Sequence, residues 1–226
     1  VIPPMLAVSF WFRVRVRDST MRKIAFERDH IRVTAAASRP GQMLLPGQVA
    51  LHLKPGHYWM GLEAYDNYTK KRASFMREIE IAPLSGSPQI SDIQFASSIR
   101  DAEPGSRFAK GNLQVVPHPV RAYRIPFPIS FYFEIYGLDT DEDGKAFYRI
   151  EYKIVPLEKR RRGPVLQDVP AISSTFETSG YGSTQPQRLS IATKELWKGP
   201  FRLDVTVTDR RSFRTATKSA DFSVLK

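Results

Sequence analysis

The sequence predicts an all-β chain made of two tandem β-sandwich modules. Two observations carry this. Apolar residues recur at every second position in short runs, the spacing that lines one face of a strand, and no long segment shows the 3.6-residue apolar period of a helix. The second is internal: Gly56–Ile81 aligns without a gap on Gly199–Val224, each beginning after a turn and reaching an Asp ten residues after its Gly. Only three of the 26 positions are identical, so the shared pattern of turn, Asp and two strands is the informative part.

Taken along the chain, Phe10, Phe12, Val14 and Val16 alternate with Trp11, Arg13, Arg15 and Arg17, which predicts an amphipathic strand with one apolar face and one basic face. Further short strands are expected at 23–36 and 47–53. Tyr58, Met60, Leu62 and Ala64 then lead to Asp66, and a return strand carries Ile79 and Ile81. IAPLSGSP at 81–88 is the expected connection between modules, which sets the domains at 1–83 and 84–226. The second module is expected to hold strands at 90–99, 113–117, 129–136 and 148–157. A basic, Pro- and Gly-rich loop follows at 158–171, then strands in ISSTFETSG and QRLSIAT. Its last hairpin starts with Phe201, Leu203, Val205 and Val207 before Asp209, and returns through Phe222 and Val224. Short antiparallel strands in this number predict sandwiches of the immunoglobulin or fibronectin kind. Asp66 and Asp209 occupy matching places, where a carboxylate can accept backbone N–H groups of the turn.

PGHYWMGLEAYD at 55–66, EIEIAPLSGSPQISDIQFASSI at 78–99, FYFEIYGLDTDEDGKAFYRIEYKI at 131–154 and FRLDVTVTDRRSFRTATKSADFSV at 201–224 resemble the tandem immunoglobulin-like β-sandwich region of bacterial exported proteins that carry a GWxTD segment. The GWxTD motif itself is absent. The resemblance implies an extracytoplasmic bacterial setting, whether periplasm, cell envelope or secreted, and names no ligand.

Composition narrows the chemistry. Cysteine is absent, which excludes disulfides, thiol catalysis and cysteine-ligated metals. No apolar run is long enough to cross a bilayer as a helix, and no intact signal peptide is visible. The net charge of +11 favours anionic partners, but it is spread: 13 basic and 7 acidic residues precede position 84, with 21 and 16 after it. There is no GxSxG elbow, P-loop or dinucleotide fingerprint. DTDEDG at 139–144 spaces Asp139, Asp141 and Asp143 like the start of a calcium loop, yet Ile150 stands where that loop needs Glu. An acidic hairpin is the expectation there, with no metal and no cofactor. His52 and His57 are close in sequence but match no zinc or hydrolase spacing, and His30 and His118 are remote.

These exclusions leave a non-catalytic structural or protein-interaction module as the expected function. A carbohydrate-binding module is the alternative, and a hydrolase stands third. Residues expected to meet a partner are Trp11, Arg13, Arg15 and Arg17 on one strand, Trp59 on another, and Lys159, Arg160, Arg161 and Arg162 in the basic loop. Trp197 is a third aromatic candidate. A protein is the expected partner and a polysaccharide the alternative. No specific nucleic acid is expected, because no groove-reading or RNA-binding motif accompanies the charge.

Overall fold

In the computed structural model, residues 5–36, 45–83, 86–158 and 170–225 are described. The chain divides into two compact units, 1–84 and 85–226. Both are all-β.

The described strands of the first unit form one antiparallel sheet of four. They are β1 (Met5–Arg17), β2 (Lys23–Ala36), β3 (Gly56–Asp66) and β4 (Arg72–Ile81), in the order β2-β1-β3-β4. The two-sheeted sandwich expected for 1–83 is therefore represented by a single sheet among the described residues. The strand expected at 47–53 does not form either. Pro46 and Pro55 bracket that stretch, and Gly47 lies where a Cβ would sit 2.7 Å from the Phe12 ring. This segment covers part of the apolar face without joining the sheet, since proline lacks the N–H that a ladder needs. Beneath it Phe12, Val14, Val16 and Ile31 are buried.

The second unit is a β-sandwich. One sheet contains β5 (Gln89–Ile90), β6 (Gln94–Asp101), β7 (Ala109–Lys110), β8 (Leu113–Pro117), β10 (Ile129–Tyr136) and β13 (Gln185–Ile191). The other contains β9 (Ala122–Arg124), β11 (Lys145–Pro156), β12 (Ile172–Tyr181), β14 (Gly199–Asp209) and β15 (Thr215–Leu225), with β9 parallel to β15. Period two decides what faces inward. Ile129, Phe131, Phe133 and Ile135 of β10 share one buried cluster with Ile150 and Ile154 of β11 and with Phe201, Leu203, Val205 and Val207 of β14.

The two related hairpins close alike. Gly56 pairs with Ile81 and Gly199 with Val224, so both copies keep one register. In each turn Asp66 or Asp209 donates its N–H five residues on, to Lys71 or Arg214. Lys70 and Phe213 occupy the same left-handed position, each with φ of 59°. Oδ1 of Asp66 accepts N–H groups from Tyr68 and Thr69, at 2.8 and 3.2 Å. Oδ1 of Asp209 accepts those of Arg211 and Ser212, at 2.7 and 3.2 Å.

Their second oxygens differ. Asp66 takes the Thr69 hydroxyl at 2.7 Å, whereas fully buried Asp209 takes the Asp139 N–H at 2.7 Å and so ties its turn to the acidic loop. Ser212, which stands where Thr69 does, has a buried hydroxyl with no partner among the described residues.

Removing the fully buried Asp209 carboxylate takes the shared acceptor from part-buried N–H groups in two loops, so Asp209→Ala is expected to lower stability by about 1–3 kcal/mol in denaturant titration. Asp66→Ala is expected to cost less, because water replaces its bonds. The Thr69 hydroxyl, followed by the Tyr68 and Thr69 N–H groups, holds the Asp66 carboxyl below its ordinary value of 3.8. A carboxyl depressed by folding stabilises the fold above its unfolded value, and that contribution is lost as pH falls through the folded one. Melting curves of wild type and Asp66→Asn should therefore differ at pH 7 and converge as the pH drops well below 3.8.

Candidate functional site

Directly opposed residues of an antiparallel pair lie on the same face. The apolar face of the first sheet thus gathers Phe12, Val14 and Val16 with Ala64, Leu62 and Met60. Its other face gathers Trp11, Arg13, Arg15 and Arg17 with their neighbours. Across β1 and β2 the pairs are Trp11–His30, Arg13–Arg28, Arg15–Phe26 and Arg17–Lys23. Across β1 and β3 they are Trp11–Tyr65, Arg13–Glu63, Arg15–Gly61 and Arg17–Trp59.

The outcome is a ladder of cations and rings. Trp11 and Tyr65 lie 5.3 Å apart, and the Arg13 and Arg28 guanidinium groups sit 5.4 and 5.8 Å from the Trp11 ring centre. Arg72 lies 5.4 Å from the Tyr65 ring, while Arg15 and Lys23 share Phe26 at 6.0 and 5.7 Å. Glu63 is the counter-ion within the ladder, accepting Nε and Nη2 of Arg13 at 2.8 and 2.5 Å. Arg15 and Arg28 have no carboxylate partner among the described residues. A hollow of about 370 Å³ opens beside Arg15, lined by Arg13, Arg15, Gly61, Glu63, Ser74 and Met76.

Two further clusters flank the ladder. Near its upper end the Ser9 hydroxyl lies 3.1 Å from Nε2 of His30, and the Asn67 amide reaches both, at 2.9 and 3.2 Å. The backbone N–H of Asn67 also donates to the Ser9 carbonyl at 2.8 Å. Ser9 is only 9% exposed, inside a paired strand, so the arrangement clamps the β3–β4 turn onto β1. The sequence hid this cluster, since 21 residues separate Ser9 from His30 and a further 37 separate His30 from Asn67. At the other end Trp59, His57, Glu78, Glu80 and Ser19 line an opening of about 520 Å³. Trp59 is half-buried there.

The remaining expected site residues fare differently. Lys159, Arg160, Arg161 and Arg162 lie outside the described residues. Trp197 is not an exposed anchor: its ring packs 5.2 Å from Phe201 against the sandwich core. In the acidic loop, Oδ1 of Asp141 accepts the N–H groups of Asp143 and Lys145, at 3.1 and 2.8 Å, and the Asp139 N–H is bound to Asp209. These bonds build a turn. Among the described residues no group of three His, Asp or Glu side chains is placed to hold a metal ion, and no helix is long and apolar enough to cross a membrane.

The second unit carries a polar cluster on β10, beside the smaller buried cluster to which Tyr132 belongs. Glu134 accepts the hydroxyls of Tyr132 and Tyr136, at 2.7 and 2.5 Å. Burial raises the Glu134 carboxyl, but the Tyr136 and Tyr132 hydroxyls and the Lys110 charge outweigh it and leave the group below its ordinary value. Burial, aided by Glu134, pushes the Tyr136 phenol up to about 12. Each group satisfies its neighbour, so the cluster fixes ring positions. No protein-family model matches the chain, and a search of curated proteins gives no match.

Gly61 offers a clean handle on the hollow. A Cβ there meets only a backbone oxygen at 4.0 Å, and the residue has no left-handed φ to maintain. Gly61→Leu is expected to fill the space while shifting stability by less than about 1 kcal/mol, read from thermal unfolding.

Proposed function

We propose that the chain is a non-catalytic, protein-binding part of an exported bacterial protein, built on immunoglobulin-like modules, and that the basic face of its first sheet receives an acidic partner surface. The observation that carries this is the pair Arg15 and Arg28, aligned by Phe26 and Trp11 without a carboxylate of their own among the described residues. A guanidinium stacked on a ring keeps its N–H fork free for a carboxylate and has already lost part of the side-chain entropy that binding would cost. The extracytoplasmic setting rests on the resemblance of residues 55–66, 78–99, 131–154 and 201–224 to the sandwich region of GWxTD-bearing proteins.

The same geometry argues against two other occupants of this face. Sugar rings and nucleobases stack on open aromatic faces. Trp11 is already flanked by Tyr65, Arg13 and Arg28. A carbohydrate reading has separate support at the opposite end, where Trp59 stands with Glu78, Glu80 and His57, a ring beside hydrogen-bonding groups. The hydrolase reading has only the Ser9–His30 contact, and the Ser9 hydroxyl is held by Asn67 on a buried strand position.

Immobilised poly-L-glutamate tests the acidic-partner reading, with a panel of neutral glucans beside it. The expected result is salt-sensitive capture by poly-L-glutamate. Capture should weaken about tenfold or more in Arg15→Ser with Arg28→Ser, since each charged hydrogen bond contributes about 1.5–3 kcal/mol. Gly61→Leu should weaken it as well. Undiminished capture by the double arginine variant overturns this reading. Glucan binding that disappears in Trp59→Ala replaces it with the carbohydrate one.

A further inference from the structure

We infer that β4 is a self-association edge, and that two copies of this chain pair antiparallel through it about a two-fold axis at Met76. The inference concerns the edge of the first sheet and does not depend on what its basic face binds.

The observations begin with an open ladder. β4 is the last strand of its sheet, bonded to β3 on one side and to no described strand on the other. Its register with β3 runs through ten consecutive pairs without a bulge, and Arg72–Ile81 contains neither Pro nor Gly. Soluble sheets ordinarily blunt an edge with prolines, bulges or inward charges; β4 has no proline and no bulge, and its one charge on the apolar face is Arg77. Here Phe75 and Met76 stand instead at the middle of the edge, 48% and 58% exposed. On the apolar face, a hollow of about 350 Å³ between Phe12, Met60, Leu62, Ala64 and Phe75 reaches this edge strand.

The side chains of β4 identify the occupant. N–H and C=O groups along a strand point alternately inward and outward, so two copies can face each other only in registers where i and j have the same parity. Such registers also keep the same face of both sheets on one side. With the axis at Met76, the opposed pairs on the basic face are Arg72 with Glu80 and Ser74 with Glu78, each occurring twice, and Met76 with itself. On the apolar face they are Phe75 with Arg77 and Ala73 with Ile79, each also occurring twice. Every charged side chain of the strand then faces an opposite charge, a hydroxyl or an aromatic ring.

Neighbouring registers are poorer. An axis at Arg77 or Glu78 sets like charges against each other, and an axis at Phe75 pairs only Arg72–Glu78 of the strand. The opposite edge, β2, lacks this complementarity. Axes at Glu27, Arg28 or Asp29 each oppose a charge to itself, and an axis at His30 sets Arg28 against Arg32. Its pairing with β1 also carries a bulge at Val16/Arg17. Pairing through β4 would join the two first sheets into one of eight strands and place both basic faces on the same side.

Sedimentation equilibrium of the full chain over a concentration series tests the association, with thermal unfolding as a check that each variant folds. Glu80→Arg and Arg72→Glu each turn two attractive pairs into repulsive ones, and each should weaken dimerisation about tenfold or more. The double variant Arg72→Glu with Glu80→Arg reverses both charges and should restore it.

The cysteine-free chain permits a direct check of register. Met76→Cys should form an intermolecular disulfide under mild oxidation. Glu80→Cys should not, because the two copies of residue 80 would stand about 27 Å apart. A chain that stays monomeric at every concentration overturns the inference, as does a dimer indifferent to the single charge variants. A dimer that the charge swap fails to restore, or one linked through Phe75→Cys in place of Met76→Cys, overturns the stated register.

Discussion

Antiparallel register forces like charges together in the first sheet. Because opposed residues share a face, Arg13 stands against Arg28 and Arg17 against Lys23, with Arg15 between them on the same strand. Such pairs are individually unfavourable. The fold tolerates them through Glu63, which neutralises Arg13, and through three rings that the cations lie against: Arg13 and Arg28 on Trp11, Arg15 and Lys23 on Phe26, and Arg72 on Tyr65. Much of the organisation of this face follows from that arrangement. Trp11 and Tyr65, packed on each other and against arginines, are correspondingly less open to sugars or bases. A residual positive field remains, and an acidic partner would relieve it.

The same period-two rule explains which parts of the structure were legible in the sequence. The buried quartet Phe201, Leu203, Val205 and Val207 and the row Ile129, Phe131, Phe133 and Ile135 are fixed by side-chain alternation alone, since a one-residue slip would turn each row to the opposite face. The two faces of β1 were equally readable. What alternation cannot give is the neighbour across the strand. The Ser9–His30–Asn67 clamp and the contacts of Trp11 with two arginines depend on register with β2 and β3, which brings together residues 21 and 58 positions apart in the sequence. Segment 47–53 misled for a related reason: Val49, Leu51 and Leu53 alternate as a strand would, but flanking prolines and the approach of Gly47 to Phe12 leave it lying across the sheet. Trp197 misled because a large ring with an N–H donor suits an interface as well as a core, and its contact with Phe201 depends on the fold.

The two aspartate turns show local chemistry held constant while context changes. Both use Oδ1 to bind the N–H groups two and three residues on, and both carry a left-handed residue four positions on, Lys70 and Phe213. In the first unit the second oxygen is spent on a neighbouring hydroxyl, and the turn remains a local device. In the second it reaches across to Asp139, so the final hairpin and the acidic loop share one carboxylate. The DTDEDG run therefore acts as a scaffold element: Asp141 shapes the loop from within and Asp209 anchors it from outside.

Burial in the first unit falls away from β1 toward β4. Phe12, Val14 and Val16 are buried, Met60, Leu62 and Ala64 are half-buried, and Phe75 is exposed. A sheet with one apolar face must cover that face to be stable, and here the described cover, Gly47 and Val49, lies over the β1 side. Among the described residues, the β4 side is left with exposed Ala73 and Phe75 and an unpaired backbone ladder at the same place. Either deficit alone would be ordinary, because single exposed apolar residues and free edges are both common. Their coincidence on a strand that has arginine at one end and glutamates at the other is what a second copy of the strand, running in the opposite direction, would correct in one step.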